Sequence, residues 1–159
     1  QKKLYQINNN KMNTLKKLST VAFALFAFGV ANAQEDGLIP VQSLPASAQT
    51  FINQNFSANN IVSVWQDNEK GRVEDYTVLF ADGTEVEFRA NGDWKEVKAR
   101  NGAVPAKIVP AKISKYVHKN YPNVLIKEIQ KERGKYEVSL SNGLDLDFNL
   151  NGKFLKIDD

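Results

Sequence analysis

From Thr84 to Arg89 apolar and acidic residues alternate: Val86 and Phe88 fall on one side of an extended chain, Glu85 and Glu87 on the other. The pattern returns at Leu144–Asn149, where Leu146 and Phe148 oppose Asp145 and Asp147. Each run follows another strand-like run, Asp75–Phe80 or Lys135–Leu140. The joining residues Asp82-Gly83 and Asn142-Gly143 supply the positive φ that hairpin turns need. Asn91-Gly92 and Asn151-Gly152 then turn the chain into Trp94–Lys98 and Phe154–Ile157. Ile61–Gln66 and Leu125–Lys131 read as the first strand of each set. Upstream of each set the period lengthens. Ala48, Phe51, Ile52 and Phe56, and again Ile113, Tyr116, Val117 and Tyr121, recur at helical spacing, so each helix carries one apolar stripe. Pro45 and Pro110 suit a first helical turn, and Pro122 ends the second helix.

The two sets match residue by residue. At a shift of 60, Tyr76 meets Tyr136, Val78 meets Val138, Gly83 meets Gly143 and Phe88 meets Phe148, while Trp94 meets Phe154. At a shift of 65, Leu44-Pro45-Ala46 meets Val109-Pro110-Ala111 and Asn55-Phe56 meets Asn120-Tyr121. The first copy has extra residues near Asn68–Lys70. The pattern predicts an α+β fold: a tandem repeat of helix plus four-stranded antiparallel meander, about 38–100 and 104–159. The copies would join in one sheet of roughly eight strands, with two helices on one face and the carboxylates on the open face.

Residues 12–33 read as a signal peptide. Lys16 and Lys17 precede an apolar run, Val21–Val30, and Ala31-Asn32-Ala33 is a small-x-small cleavage site. Residues 1–11 read as an upstream extension without structural role, and 34–159 as a single domain. The apolar run is shorter than the roughly 20 residues a membrane-spanning helix needs, so no stable membrane insertion is expected after cleavage. Gln34 is not a cysteine, so no lipid anchor is expected there.

The chain has 21 Lys and Arg against 18 Asp and Glu, but five lysines precede Gln34 and no acid does. The remainder has 16 basic and 18 acidic side chains, a net charge of −2. That balance removes the main support for nucleic-acid binding. Cysteine is absent, so the core alone must hold the domain. Each copy of about 60 residues would be marginal alone.

The run Ala81-Asp82-Gly83-Thr84-Glu85-Val86-Glu87-Phe88, followed by Asn91-Gly92-Asp93-Trp94-Lys95-Glu96-Val97, resembles the PepSY-like, beta-lactamase-inhibitor-protein-like family of small secreted Bacteroidetes proteins. The resemblance covers nearly all of residues 38–159. The second copy is looser, with Phe154 where the motif prefers tryptophan. The resemblance implies the tandem fold and a periplasmic or secreted location, and it implies no established activity.

Candidate chemistry is sparse. His118, the single histidine, falls off the apolar stripe of its helix and has no nucleophile beside it. One histidine and no cysteine give no basis for a zinc or copper site. Asp67-Asn68-Glu69 and Ala81-Asp82-Gly83 lack the ligand spacing of a calcium loop and read as turns. No cofactor is expected. The leading expectation is a non-enzymatic binding module, inhibitor-like or sensor-like, that sets its open face against a cell-envelope protein. Trp94 ranks first as anchor and Trp65 second, with Glu85, Glu87, Asp145 and Asp147 as polar surround. The rivals are an envelope glycan or peptide hydrolase using those acids, and a small-ligand or ion-binding protein.

Overall fold

The alternating runs become strands and the 3.6-period runs become helices. The computed structural model describes residues 36–57, 60–132 and 134–158. The expected extension at 1–11 and signal peptide at 12–33 lie outside the described residues. In chain order the elements are β1 (Gly37–Leu38), α1 (Ala46–Asn55), β2 (Ile61–Glu69), β3 (Arg72–Phe80), β4 (Thr84–Arg89) and β5 (Trp94–Ala99). There follow α2 (Ala111–Asn120), β6 (Ile126–Glu132), β7 (Lys135–Leu140), β8 (Asp145–Asn149) and β9 (Phe154–Asp158). The strands form one antiparallel sheet in the order β1 to β9.

The sheet therefore has nine strands among the described residues, where the pattern predicted about eight. The additional strand is β1: Gly37 pairs with Gln66 and Leu38 with Trp65. Two residues are too few for an alternation to show in sequence. The extra residues of the first half lengthen the β2–β3 hairpin. It turns at Lys70 and Gly71, whose φ values of 53° and 74° suit a tight two-residue turn. Asp67-Asn68-Glu69, expected as a turn, is thus the end of β2.

One face of the sheet forms the core. Val78, Val86, Phe88 and Val97 join Val138, Leu146 and Phe148, and both helices contribute to the same cluster through Ala48, Ile52, Ile113 and Val117. Phe51 meets Phe88 edge-on at 5.6 Å, and Tyr116 meets Phe148 the same way at 5.4 Å. Burial in β4 alternates strictly, with Val86 and Phe88 inside. The Asn-Gly turns touch the helices. A Cβ on Gly92, which has φ +84°, would stand 2.1 Å from Ser47 Oγ and 2.7 Å from Pro45 Cβ, so only glycine lets the turn dock on the first turn of α1. Ser47 Oγ fixes that contact by donating to the Asn91 carbonyl at 3.0 Å.

Single-residue bulges interrupt the ladder at Val62 in β2, Glu74 in β3, Lys95 in β5, Lys127 in β6 and Leu155 in β9. Lys95 and Leu155 have the larger effect on the surface, because each reverses the face on which the preceding aromatic stands.

Candidate functional site

Trp94 is the clearest case of that reversal. The Lys95 bulge pairs Trp94 with Phe88, which is fully buried under the helices. Trp94 therefore stands on the helix side. It stacks on Phe51 of α1 at 6.0 Å and on Tyr136 of β7 at 6.3 Å. Its expected role as open-face anchor is corrected on this ground: the ring is a half-buried packing element between the two halves of the sheet. Trp65 does stand on the open face. It pairs with Thr77 across the ladder, is half-buried, and donates its indole Nε1–H to Asp67 Oδ1 at 2.9 Å.

The four acids expected on the open face are there, in different settings. Glu85 lies 3.5 Å from Arg100. Glu87 joins a triad: Lys95 Nζ reaches Asp75 Oδ2 at 2.6 Å and Glu87 Oε1 at 2.7 Å. The bulge that turns Trp94 inward is what presents Lys95 to these acids. Asp145 is half-buried and pairs in register with Ser139 and Asp158.

Asp147 departs from the expectation of a solvated carboxylate. It is 2% exposed. Lys135 Nζ donates to both its oxygens, at 2.8 and 2.7 Å, and Lys156 lies 3.8 Å away. The cause is local crowding: flanking strands lay long side chains over a shorter acid. Asp147→Ala should therefore lower stability by about 1–3 kcal/mol, the range for losing hydrogen bonds to a charged group. Glu85→Ala should stay within about 0.5 kcal/mol. Urea unfolding of both variants checks this, and equal midpoints would contradict it.

Further acids that the alternation alone did not single out shape the face, Asp75 and Glu128 among them. Glu96 pairs with Glu87 on one side and Gln130 on the other. Burial, and then the charges of Glu128 and Glu87, push its carboxyl up to about 7. Glu137 and Asp158 approach Asp147, and all three offer oxygens within 4.8 Å of one another. Burial also raises Glu87 and Glu137, against the pull of Lys95 and Lys135 respectively. Burial lowers Lys95, but hydrogen bonds to Asp75 and Glu87 outweigh it and raise the ammonium above its ordinary value. The open face is thus a sheet of carboxylates laced by a few lysines. A signal for this was present in the lysines of the strands beside the acids, but only the register shows which acid each one reaches.

Among the described residues no helix is long and apolar enough to cross a membrane.

The fold and this face define a class: an open antiparallel sheet covered on one side by two helices, with a charged face left uncovered. The chain belongs to the PepSY-like family, whose profile, described as "Putative beta-lactamase-inhibitor-like, PepSY-like", matches residues 74–156. It is similar to a solved structure from Bacteroides thetaiotaomicron described as a "putative calcium-regulated periplasmic protein". Identity is 37%, the TM-score is 0.72, and the match covers 78% of this chain and 97% of that one. A Bacteroides vulgatus structure described as a "putative periplasmic protein" of the DUF2874 family matches at 36% identity and TM-score 0.71, over 80% of this chain and 100% of that one. A second Bacteroides vulgatus protein, described as periplasmic and of unknown function, matches at 35% identity and TM-score 0.71, over 78% and 99%. Curated proteins give no significant match.

Proposed function

We propose that this chain is a non-enzymatic periplasmic module whose open sheet face binds a protein with a basic surface. The observation that carries the reading is the run of carboxylates from Asp67 and Asp75 through Glu87 and Glu96 to Glu128 and Glu137, on one face of consecutive strands. Such a field speeds encounter with a cationic partner and sets orientation. Trp65 takes the anchoring role first assigned to Trp94. The periplasmic assignment rests on the solved relatives and on the signal peptide read at 12–33.

The ion pairs weigh against the hydrolase reading. Glu87 and Asp147 are each engaged by a lysine at 2.7 Å, so neither carboxylate is poised to exchange a proton with a substrate. The reading also takes the two helix-plus-four-strand halves as copies of one unit. The matched bulges support that: Val62 with Lys127 at the earlier shift of 65, and Lys95 with Leu155 at 60.

The test is affinity capture from a periplasmic extract with wild-type protein and with Trp65→Ala/Glu85→Lys as baits. A protein retained by the first and lost by the second is the expected result. Equal retention by both baits would move the contact surface elsewhere and end this assignment.

A second reading is calcium binding at Glu137, Asp147 and Asp158. It is motivated by their proximity and by the description of the Bacteroides thetaiotaomicron relative. Calcium would have to displace the Lys135 ammonium from Asp147, so affinity should fall in the weak range, about 10⁻⁴–10⁻³ M. Lys135→Gln should tighten it. Calorimetry that shows no calcium heat for either protein removes this reading.

A further inference from the structure

All 18 acidic residues lie outside the stretch from Val97 to Lys127, which carries seven Lys or Arg residues and the single histidine. In the fold this stretch is the end of β5, the connector 100–110, α2 and the start of β6. Lys98 and Arg100 pair with Glu128 and Glu85, and Lys127 donates to the Arg100 and Gly102 carbonyls, which leaves Lys107, Lys112, Lys115 and Lys119 on the connector and α2. A cleft of about 470 Å³ lies between the connector, α2 and β6. It is an open depression, so a bound chain would keep one side in water.

The chemistry of the cleft is one-sided. Val104 and Val117 line it as apolar wall, and Leu125, 49% exposed, lines it too. Its polar side chains are Ser114, Lys115 and His118, the last two one helical turn apart on α2 and so neighbours. Among the described residues no carboxylate lines it. Part of the main chain around it is already bonded. Val104 N–H donates to the Ile126 carbonyl at 2.9 Å, the Leu125 carbonyl accepts from Ser141 N–H at 2.8 Å, and Leu125 N–H donates to Ser141 Oγ at 3.0 Å. A peptide strand adding to this backbone would find those groups taken, so recognition falls to side chains: apolar contact for a body, positive charge for a head.

We propose that this cleft binds a single acyl chain with an anionic head group. The chain lies along Val104, Val117 and Leu125, and the head sits at Lys115 and His118. The carboxylates of the open face do not line the cleft and play no part.

The test titrates the full chain with sodium dodecanoate below its micelle concentration, followed by calorimetry and by amide NMR shifts. Saturable one-to-one binding with shifts confined to residues 103–126 is expected. Leu125→Glu should weaken it at least tenfold, and because Leu125 is half exposed this variant should fold. Lys115→Glu should weaken it about fivefold, and Lys153→Glu, beyond the cleft, should leave it unchanged. Absence of binding overturns the proposal. So does equal affinity for dodecanol, which would show the Lys115 ammonium to be idle. Binding to phosphatidylglycerol vesicles without any response to monomeric dodecanoate also overturns it, because a charged surface and not a cleft would then be at work.

Discussion

Phe88→Ala and Phe148→Ala are each expected to lower the unfolding free energy by about 3–5 kcal/mol, the range for emptying a buried aromatic site. Both rings are fully buried. Each lies under a helix, held edge-on by Phe51 or Tyr116. Phe148 also meets Phe154 at 5.8 Å. The helices reach the sheet through these rings, so truncation removes packing on both layers at once. Neighbours cannot collapse into the space, because β-strand backbone forms one wall. Urea denaturation followed by tryptophan fluorescence gives the numbers, since Trp94 reports on the first site through Phe51. A loss below about 1 kcal/mol at either position would mean that the ring does not fill the interior as described.

The second large effect is on pH. Glu96 has its carboxyl raised from 4.5 to about 7 in the folded protein, by burial first and by Glu128 and Glu87 next. The folded state therefore binds a proton that the unfolded chain releases. Stability should fall as pH rises from about 4.5 through about 7 and level off above. At about 1.4 kcal/mol per pH unit the displacement sets an upper bound of about 3.5 kcal/mol. Glu87 and Glu137 are raised as well and act with the same sign. Lys98, across from Glu128, tempers the field at 3.2 Å. Glu96→Gln should make the protein more stable at pH 8 and remove the largest part of the slope between pH 5 and 8. A variant with the wild-type slope would show that another group carries the titration.

The core was legible in the sequence because alternation in β4 and β8 is strict and the helical stripes are clean. Phe88, Phe148, Ile52 and Val117 all stand where the period puts them. The site was less legible, for one physical reason in two places. Counting back from Val97 by twos would leave Trp94 on the open face, and counting back from Ile157 would do the same to Phe154. One extra residue in each strand, Lys95 and Leu155, turns both rings inward. Leu155 is left 52% exposed, and Lys95 is delivered to Asp75 and Glu87. A bulge has no composition of its own, so hydrophobic period cannot announce it. The burial of Asp147 was hidden for a different reason. It depends on which lysines the neighbouring strands place over it, and cross-strand register is a tertiary property.

The join between β5 and β6 has a mechanical meaning. There the ladder runs through three residue pairs, Glu96 with Gln130, Val97 with Ile129 and Lys98 with Glu128, whereas β3–β4 and β7–β8 each run through five. Arg89, on β4, reaches over this seam: its guanidinium donates to the Trp94 carbonyl on β5 at 3.1 Å and to the Lys131 carbonyl on β6. Trp94 and Tyr136 stack across it on the other face. Inside the two-pair edge strand β1, tension applied across the width of the sheet would meet its weakest row of bonds at that seam. One arginine on one side and one pair of rings on the other act there as the stitches that make two short sheets tear as one.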